Sequence, residues 1–376
     1  MNIDELLKIL PDNYDKACYE TKAITRNRTI NNPEQLIKLL LYYLYGASLV
    51  EVSQYALFSK IGKISDVAFM KRFIKSQEWI KWMINKTKPN EIINYQKPKE
   101  LEKYNVIAVD ACDILEKSAV QKEWHLHYGV NIFSLMCNQF KITDQKTGET
   151  LKNFKINTND LIIGDRAYAT KIGIEYCLNN GGNFILRIKN KAFKLFDING
   201  KEIKISDWFR TIDDKVSEIT VYFKDSKKIL VPLRLCAVKK TAEEIQIEEK
   251  RLKRLDSKKQ RTTSEDTKFT HKYMFVITSL PETISAEKVL EFYRLRWQVE
   301  LVFKRYKTIL GMGNMPTKTP KASETWLNGK MLIALLIEKY LGDINFSPSW
   351  ELRKESELME GNKTCITVDF LLPYSQ

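Results

Sequence analysis

The stretch Tyr104-Asn105-Val106-Ile107-Ala108-Val109-Asp110 decides the fold. Its middle is continuously apolar and largely β-branched, the pattern of a strand covered on both faces. It closes on an acid. Leu161-Ile162-Ile163-Gly164-Asp165 repeats this arrangement in shorter form. HLHYGVNIF (125–133) and SLMCNQFKIT (134–143) also read as strands, and the polar DQKTGETLKN separates them from Leu161. Helical and strand-like pieces then alternate through NFILRIK (183–189). Strands first, then alternation, predict an α/β fold: a mixed sheet covered by helices.

An acid that ends an apolar strand has a poor structural excuse, because unpaired buried charge is costly. Two such acids are more readily explained by divalent cations. Magnesium takes a few carboxylates and keeps room for water and phosphate oxygens. Two such ions can serve the attacking and the leaving oxygen of a phosphodiester displacement.

A helix is predicted over 285–309. At helical spacing Tyr293, Arg296, Glu300, Lys304 and Lys307 fall on one stripe. Leu295, Val299, Val302, Ile309 and Leu310 form an apolar stripe on the other side, suited to docking on a sheet. One carboxylate among cations and a tyrosine suits a metal ligand surrounded by phosphate-gripping groups. The same stripe is also what a solvated face with i,i+4 ion pairs looks like.

Flanking segments set the domain plan. Residues 1–97 read as helical, with Asn32-Pro33 starting a helix that ends near Gly46 and a capping box at Ser48 and Glu51. Ser65 to Lys75 carries Lys71, Arg72 and Lys75, which suit either a helix-turn-helix-like DNA reader or an ordinary basic face. The expected plan is an N-terminal helical DNA-binding domain over 1–97 and a catalytic domain over 98–190 and 278–342. A β-rich insertion occupies 191–277, and 343–376 form a tail. Within the insertion the charged stretch 239–261 reads as a helical arm or a solvated surface.

Of 376 residues, 61 are Lys or Arg and 47 Asp or Glu, a formal net charge of +14. That surplus favours a polyanionic partner, since neutralised phosphates release counterions, although it also serves solubility. The six cysteines form no C-x-x-C pair, so a reducing compartment is the default. MNIDELLKILPDN has no apolar signal core, and LLLYYLY (39–45) is far too short for a membrane span. The expectation is a cytoplasmic protein.

Tyr293, Arg296, Glu300 and Lys307 reproduce the spacing Y-(2)-R-(3)-E-(6)-K. Asp165-Arg166-Ala167-Tyr168 is similar to a D-R-G-Y motif with alanine for glycine, and Phe184 to Lys189 to the basic strand that follows it. Ser65 to Phe73 and Trp326 to Ile333 complete the set in order. Over roughly 48–342 the chain resembles the DDE transposases of bacterial insertion sequences, in the insertion-sequence-4-like group with the YREK signature. The resemblance implies a ribonuclease H-like core with Asp110, Asp165 and Glu300 as catalytic acids and metal ligands. It also implies two Mg²⁺ ions, replaceable by Mn²⁺. Tyr293, Arg296, Lys304 and Lys307 would hold phosphates of double-stranded DNA, assisted by Arg187 and Lys189. A β-rich insertion before the last acid is implied too.

The first motif departs from the family: Asp110-Ala111-Cys112-Asp113 stands where a hydroxyl residue often follows the acid by two. Alternation puts Cys112 on the side of Asp110. Asp113 is the competing first ligand, and Asp110 is preferred because it directly ends the apolar run. The implied activity is cut-and-paste transposition. It acts on transposon ends and target DNA, needs at least a dimer in the DNA complex, has a hairpin as a suggested intermediate, and places the protein at the nucleoid. A structure-specific nuclease on the same fold and a catalytically silent DNA-binding descendant are the alternatives. His125 and His127 read as ordinary strand histidines, and Trp208 and Tyr273 read mainly as core, with base stacking as a lesser option.

Overall fold

The computed structural model describes residues 3–87, 97–116, 123–189, 193–213, 215–313 and 315–343. Most of the expected tail, 344–376, lies outside the described residues, as does 88–96 at the end of the helical segment. In chain order the elements are α1 (Ile3–Lys8), α2 (Tyr14–Glu20), α3 (Pro33–Leu44), α4 (Leu49–Phe58), α5 (Asp66–Lys75), α6 (Gln77–Lys86), β1 (Asn105–Leu115), β2 (Glu123–Asn131) and β3 (Cys137–Asp144). Then come β4 (Asp160–Gly164), α7 (Lys171–Asn179), β5 (Asn183–Arg187), β6 (Leu195–Phe196), β7 (Glu202–Ile203), α8 (Ile205–Phe209), β8 (Ser217–Lys224) and β9 (Leu230–Lys239). The series closes with α9 (Ala242–Lys259), α10 (Glu265–Thr270), β10 (Tyr273–Thr278), α11 (Ala286–Arg294), α12 (Trp297–Thr308) and α13 (Pro320–Asp343). They form two compact units, residues 1–96 with 317–376, and 97–316.

In the first unit the start signals act as the sequence predicts. The Asn32 side chain accepts from Gln35 N, and Ser48 and Glu51 form a reciprocal capping box. Gly46 follows α3 at φ 111°, a conformation that favours glycine. Helix α13 packs against α3, α5 and α6, so residues after 317 belong with the N-terminal helices rather than with the sheet. At Gly329 a Cβ would lie 2.6 Å from Leu44 side-chain carbons, so α3 and α13 approach closely there. On α5, Arg72 donates to the Ala23 carbonyl at 2.8 Å and is thereby engaged in the fold.

The second unit is built on one ten-stranded mixed sheet in the order β3-β2-β1-β4-β5-β10-β9-β8-β6-β7. β1 pairs antiparallel with β2 and parallel with β4, and β4 pairs parallel with β5. The insertion therefore extends the same sheet, because β8 and β9 add antiparallel strands beyond β10. The charged stretch 239–261 is the helix α9, started by a Thr241–Glu244 capping box. Tyr273 is buried, stacked on Phe209 at 4.3 Å, with its hydroxyl on the Phe209 carbonyl, so it is core and not a platform for a base. Trp208 packs partly buried against the same core. None of the described helices is long and apolar enough to cross a membrane.

β4 is buried at every residue. The close approach at Gly164, the residue before Asp165, holds it against its neighbours: a Cβ there would lie 2.9 Å from Leu186 Cδ2 and 3.3 Å from Tyr168 Cβ. Overpacking of a filled core costs about 1–3 kcal/mol. Gly164→Ala is expected to lower the thermal midpoint by several degrees, read by circular dichroism. An unchanged midpoint would mean that Leu186 and Tyr168 give way freely.

Candidate active site

Parallel pairing of β1 with β4 runs in register from Asn105–Asp160 to Ala108–Ile163. Two residues further along the same offset stand Asp110 and Asp165. Parallel neighbours lie about 4.8 Å apart, so the two acids emerge side by side. Asp110 is only 19% exposed, and its Oδ1 accepts from Ala111 N at 2.8 Å. Asp165 is half-buried and accepts from Ala167 N at 2.8 Å. Burial, then the charges of Asp165 and Glu149, push the Asp110 carboxyl up to about 6, against the Ala111 hydrogen bond and Arg296. Asp113, the competing first ligand, is exposed and sits 3.6 Å from His125 Nδ1. His127 is buried and bonded to Thr143 at 2.9 Å, an ordinary strand histidine.

The single helix expected over 285–309 is broken at Leu295 and Arg296. Through the break the bonds tighten to i→i−3, including Arg296 N to Tyr293 O at 3.1 Å and Val299 N to Arg296 O at 3.2 Å. The break lets α11 lie on β5, β9 and β10 while α12 lies on β1 and β2. It also redistributes the predicted faces. Val299, Val302 and Leu310 are buried as expected, but Ile309 is 58% exposed, and Phe303 and Tyr306 dock instead. The Tyr306 hydroxyl donates to that of Tyr128 on β2 at 2.9 Å. Tyr293, expected on the polar stripe, is buried beside Arg296 and Arg187. Burial raises its hydroxyl pKa against those two cations.

Arg296 is the counter-charge of the site. Its guanidinium lies 3.5 Å from Asp110 Oδ2 and donates to Glu300 Oε1 at 2.5 Å. Burial opposes its charge, but Tyr293, Glu300 and Asp110 together raise its pKa. Glu300, more than half exposed, is thus turned to Arg296. Among the described residues no three acidic, histidine or cysteine side chains are gathered closely enough to hold a metal ion. The donor chemistry nonetheless fits a hard divalent cation: adjacent carboxylates with one charge held unfavourably in a half-buried position. Lys304 and Lys307 are exposed on α12, with Lys307 hydrogen-bonded to buried Cys112, and Lys189 is exposed at the end of β5. Arg187 is largely buried, and its Nε has no hydrogen-bond partner among the described residues.

Glu149 escaped the sequence reading, and Tyr168 entered it as a motif residue without a role. Glu149, within the polar DQKTGETLKN, is half-buried, and its carboxyl is raised first by burial and then by Asp165 and Asp113. Tyr168 is fully buried, its hydroxyl has no hydrogen-bond partner among the described residues, and the charges of Asp110, Glu149 and Asp165 all bear on it. Nothing in the local pattern marks Glu149, since a loop acid is ordinary; only the folding of its loop toward Asp165 distinguishes it.

Two acids from neighbouring parallel strands, with a third on the helix packed on β1 and β2, are the arrangement of acids that a phosphodiester-processing core uses. The sequence profile of the Transposase DDE domain family matches residues 103–337, and the chain belongs to that family. Its core is ribonuclease H-like, and it is a transposase of an insertion sequence. The putative transposase InsL of insertion sequence element IS186A from Escherichia coli strain K12 is 29% identical over 90% of this chain and 93% of its own length. The transposase of insertion sequence element IS421 from Escherichia coli matches equally, at 29% over the same shares. That of IS231F from Bacillus thuringiensis subsp. israelensis is 25% identical over 58% of this chain and 48% of its own length.

Asp110 supplies a pH test. The folded-state pKa near 6 lies above the ordinary aspartate value, so the folded chain holds a proton that the unfolded chain loses between about pH 4 and 6. Ionising Asp110 therefore costs stability as pH rises through that window, by up to about 3 kcal/mol. Asp110→Asn is expected to raise the metal-free thermal midpoint at pH 8, with the gain fading toward pH 4. A pH-independent difference between the two proteins would contradict this.

Proposed function

We propose that this transposase binds the terminal inverted repeats of its element, cleaves them in a magnesium-dependent reaction and joins the freed ends to target DNA. Asp110, Asp165 and Glu300 are the catalytic acids and hold the cations, Mg²⁺ with Mn²⁺ as substitute. What supports the reading is the β1–β4 register, which brings Asp110 and Asp165 together beside the helix that carries Glu300. A divalent cation held there supplies Lewis-acid polarisation of the phosphate and eases deprotonation of the attacking oxygen.

The chain's own groups do the rest. Glu300, paired with Arg296 here, would help hold the cation, and the Arg296 guanidinium would then be available to grip a phosphate bidentately. Lys304, Lys307 and Lys189 present exposed charges to the DNA backbone, and Arg187 offers a desolvated one. Buried Tyr293 orients Arg296 and Arg187. Tyr168 and Glu149 complete the acidic end: the hydroxyl lies within range of the carboxylates' charge, and Glu149 orients water bound there. Water first displaces the 3′ oxygen of one strand at each end, leaving a 3′ hydroxyl and a 5′ phosphate. The 3′ hydroxyl then attacks phosphodiesters in the same manner, releasing a 3′ oxygen each time. Two ends handled together call for two copies of the chain in the DNA complex.

The experiment is Mg²⁺-dependent nicking and strand transfer on end-sequence DNA. With folding matched, Glu300→Ala is expected to lose more than about 100-fold in rate, and Glu149→Gln about 10- to 100-fold. Apparent Mg²⁺ affinity of wild type is expected to weaken as pH falls below about 6, where the metal-free Asp110 carboxyl takes up the proton that a cation must displace. Undiminished nicking by Glu300→Ala removes the assignment. Nicking by wild type without any joined product favours a nuclease.

A further inference from the structure

Away from the acids, the extended part of the sheet holds a second concentration of charge. A cavity of about 370 Å³ is lined by Arg166 from the turn after β4, Glu248 and Arg251 of α9, Arg261 and Thr263 beyond it, and His271. Glu248 is already shared. His271 Nδ1 lies 2.9 Å from it, Arg251 3.7 Å and Lys240 3.9 Å. Its hydrogen bond with His271, then the cations, hold its carboxyl down at about 2. Asp256, the next acid, accepts from Thr263 N and Oγ1 at 2.9 and 2.6 Å and faces Arg261 at 3.6 Å.

Arg166 and Arg187 are buried within range of each other's charge, and the Nε of each has no hydrogen-bond partner among the described residues. Lys240, Arg251 and His271 share the Glu248 carboxylate, while Arg166 and Arg187 form no ion pair among the described residues. A network serving only the fold would pair each desolvated cation with its own acid. This one leaves guanidinium donors and positive charge in excess around a cavity that is open to solvent through exposed Arg251 and Arg261.

We propose that this cavity binds a phosphate group of a DNA strand, with Arg166 and Arg251 as the fork-shaped donors and Arg261 at the mouth. Guanidinium pairs match phosphate oxygens bidentately. Arg166 directly follows Asp165, so a strand engaged at the acids passes next to this cavity. The inference rests on the DNA-cleaving reading and adds to it a grip outside the helix that carries Glu300.

The test is anisotropy of a labelled duplex from the element's ends, titrated without divalent metal at several salt concentrations, so that cleavage plays no part. Arg251→Gln and Arg261→Gln are compared with wild type and with Lys253→Gln, an exposed α9 cation outside the cavity lining. Each arginine variant is expected to flatten the log–log salt dependence by about 0.9, one phosphate contact on duplex DNA, relative to Lys253→Gln. Slopes equal to that control, with wild type binding normally, overturn the cavity proposal and leave the DNA reading intact. Failure of wild type to bind DNA overturns both. Inorganic phosphate that raises the thermal midpoint of wild type but not of Arg251→Gln, with unchanged DNA slopes, would assign the cavity to free phosphate and overturn the strand assignment.

Discussion

Parallel hydrogen bonding between β1 and β4 is the constraint on which the site depends. Side chains of parallel neighbours at matched register stand beside each other, and a slip by one residue would send an acid to the opposite face. Continuous burial of Val106 to Val109 and Leu161 to Ile163 makes such a slip prohibitive, because both faces of the sheet are covered. The two carboxylates are therefore placed by the apolar residues that precede them. The core's cohesion is what holds like charges together at the strand ends.

Holding them there has an electrostatic cost, and Arg296 offsets part of it. The break between α11 and α12 is what presents Arg296 at the right height: it lies in the tightened turn, under Tyr293 and against Asp110, with Glu300 one turn on. An unbroken helix could not lie on both β10 and β2 of a twisted sheet. The same break turns Tyr293 inward and Ile309 outward, so a pattern that looks like one amphipathic helix serves two docking surfaces. Largely buried Arg166 and Arg187 stand opposite in sign to the acidic end, and on the proposed reading a DNA strand would answer the one with its phosphate while a divalent cation answers the other.

Much of the fold was legible because burial leaves a direct trace. Strands β1, β4, β5 and β10 appear as apolar runs, helix starts as Asn32 and Ser48, and the helix α9 as part of the charged stretch 239–261. Asp110 and Asp165 were visible for the same reason, an acid closing an apolar run. Glu149 was not, since its distinction lies in a loop folding toward Asp165 and leaves no periodicity. The helix break was also hidden, because Leu295 and Arg296 are good helix formers and no glycine or proline marks the site.

The sequence by itself determined the mixed sheet, the two strand-end acids and the order of motifs that places the chain among DDE transposases, since each depends on residues close together along the chain. Tertiary structure alone decided that β8 and β9 extend the same sheet, that α13 joins the N-terminal helices, and that Glu300 faces Arg296. It also decided that Glu149 and Tyr168 gather about Asp110 and Asp165. Those outcomes come from register, docking and charge balance between distant segments, and such pairings are set by how surfaces fit in space.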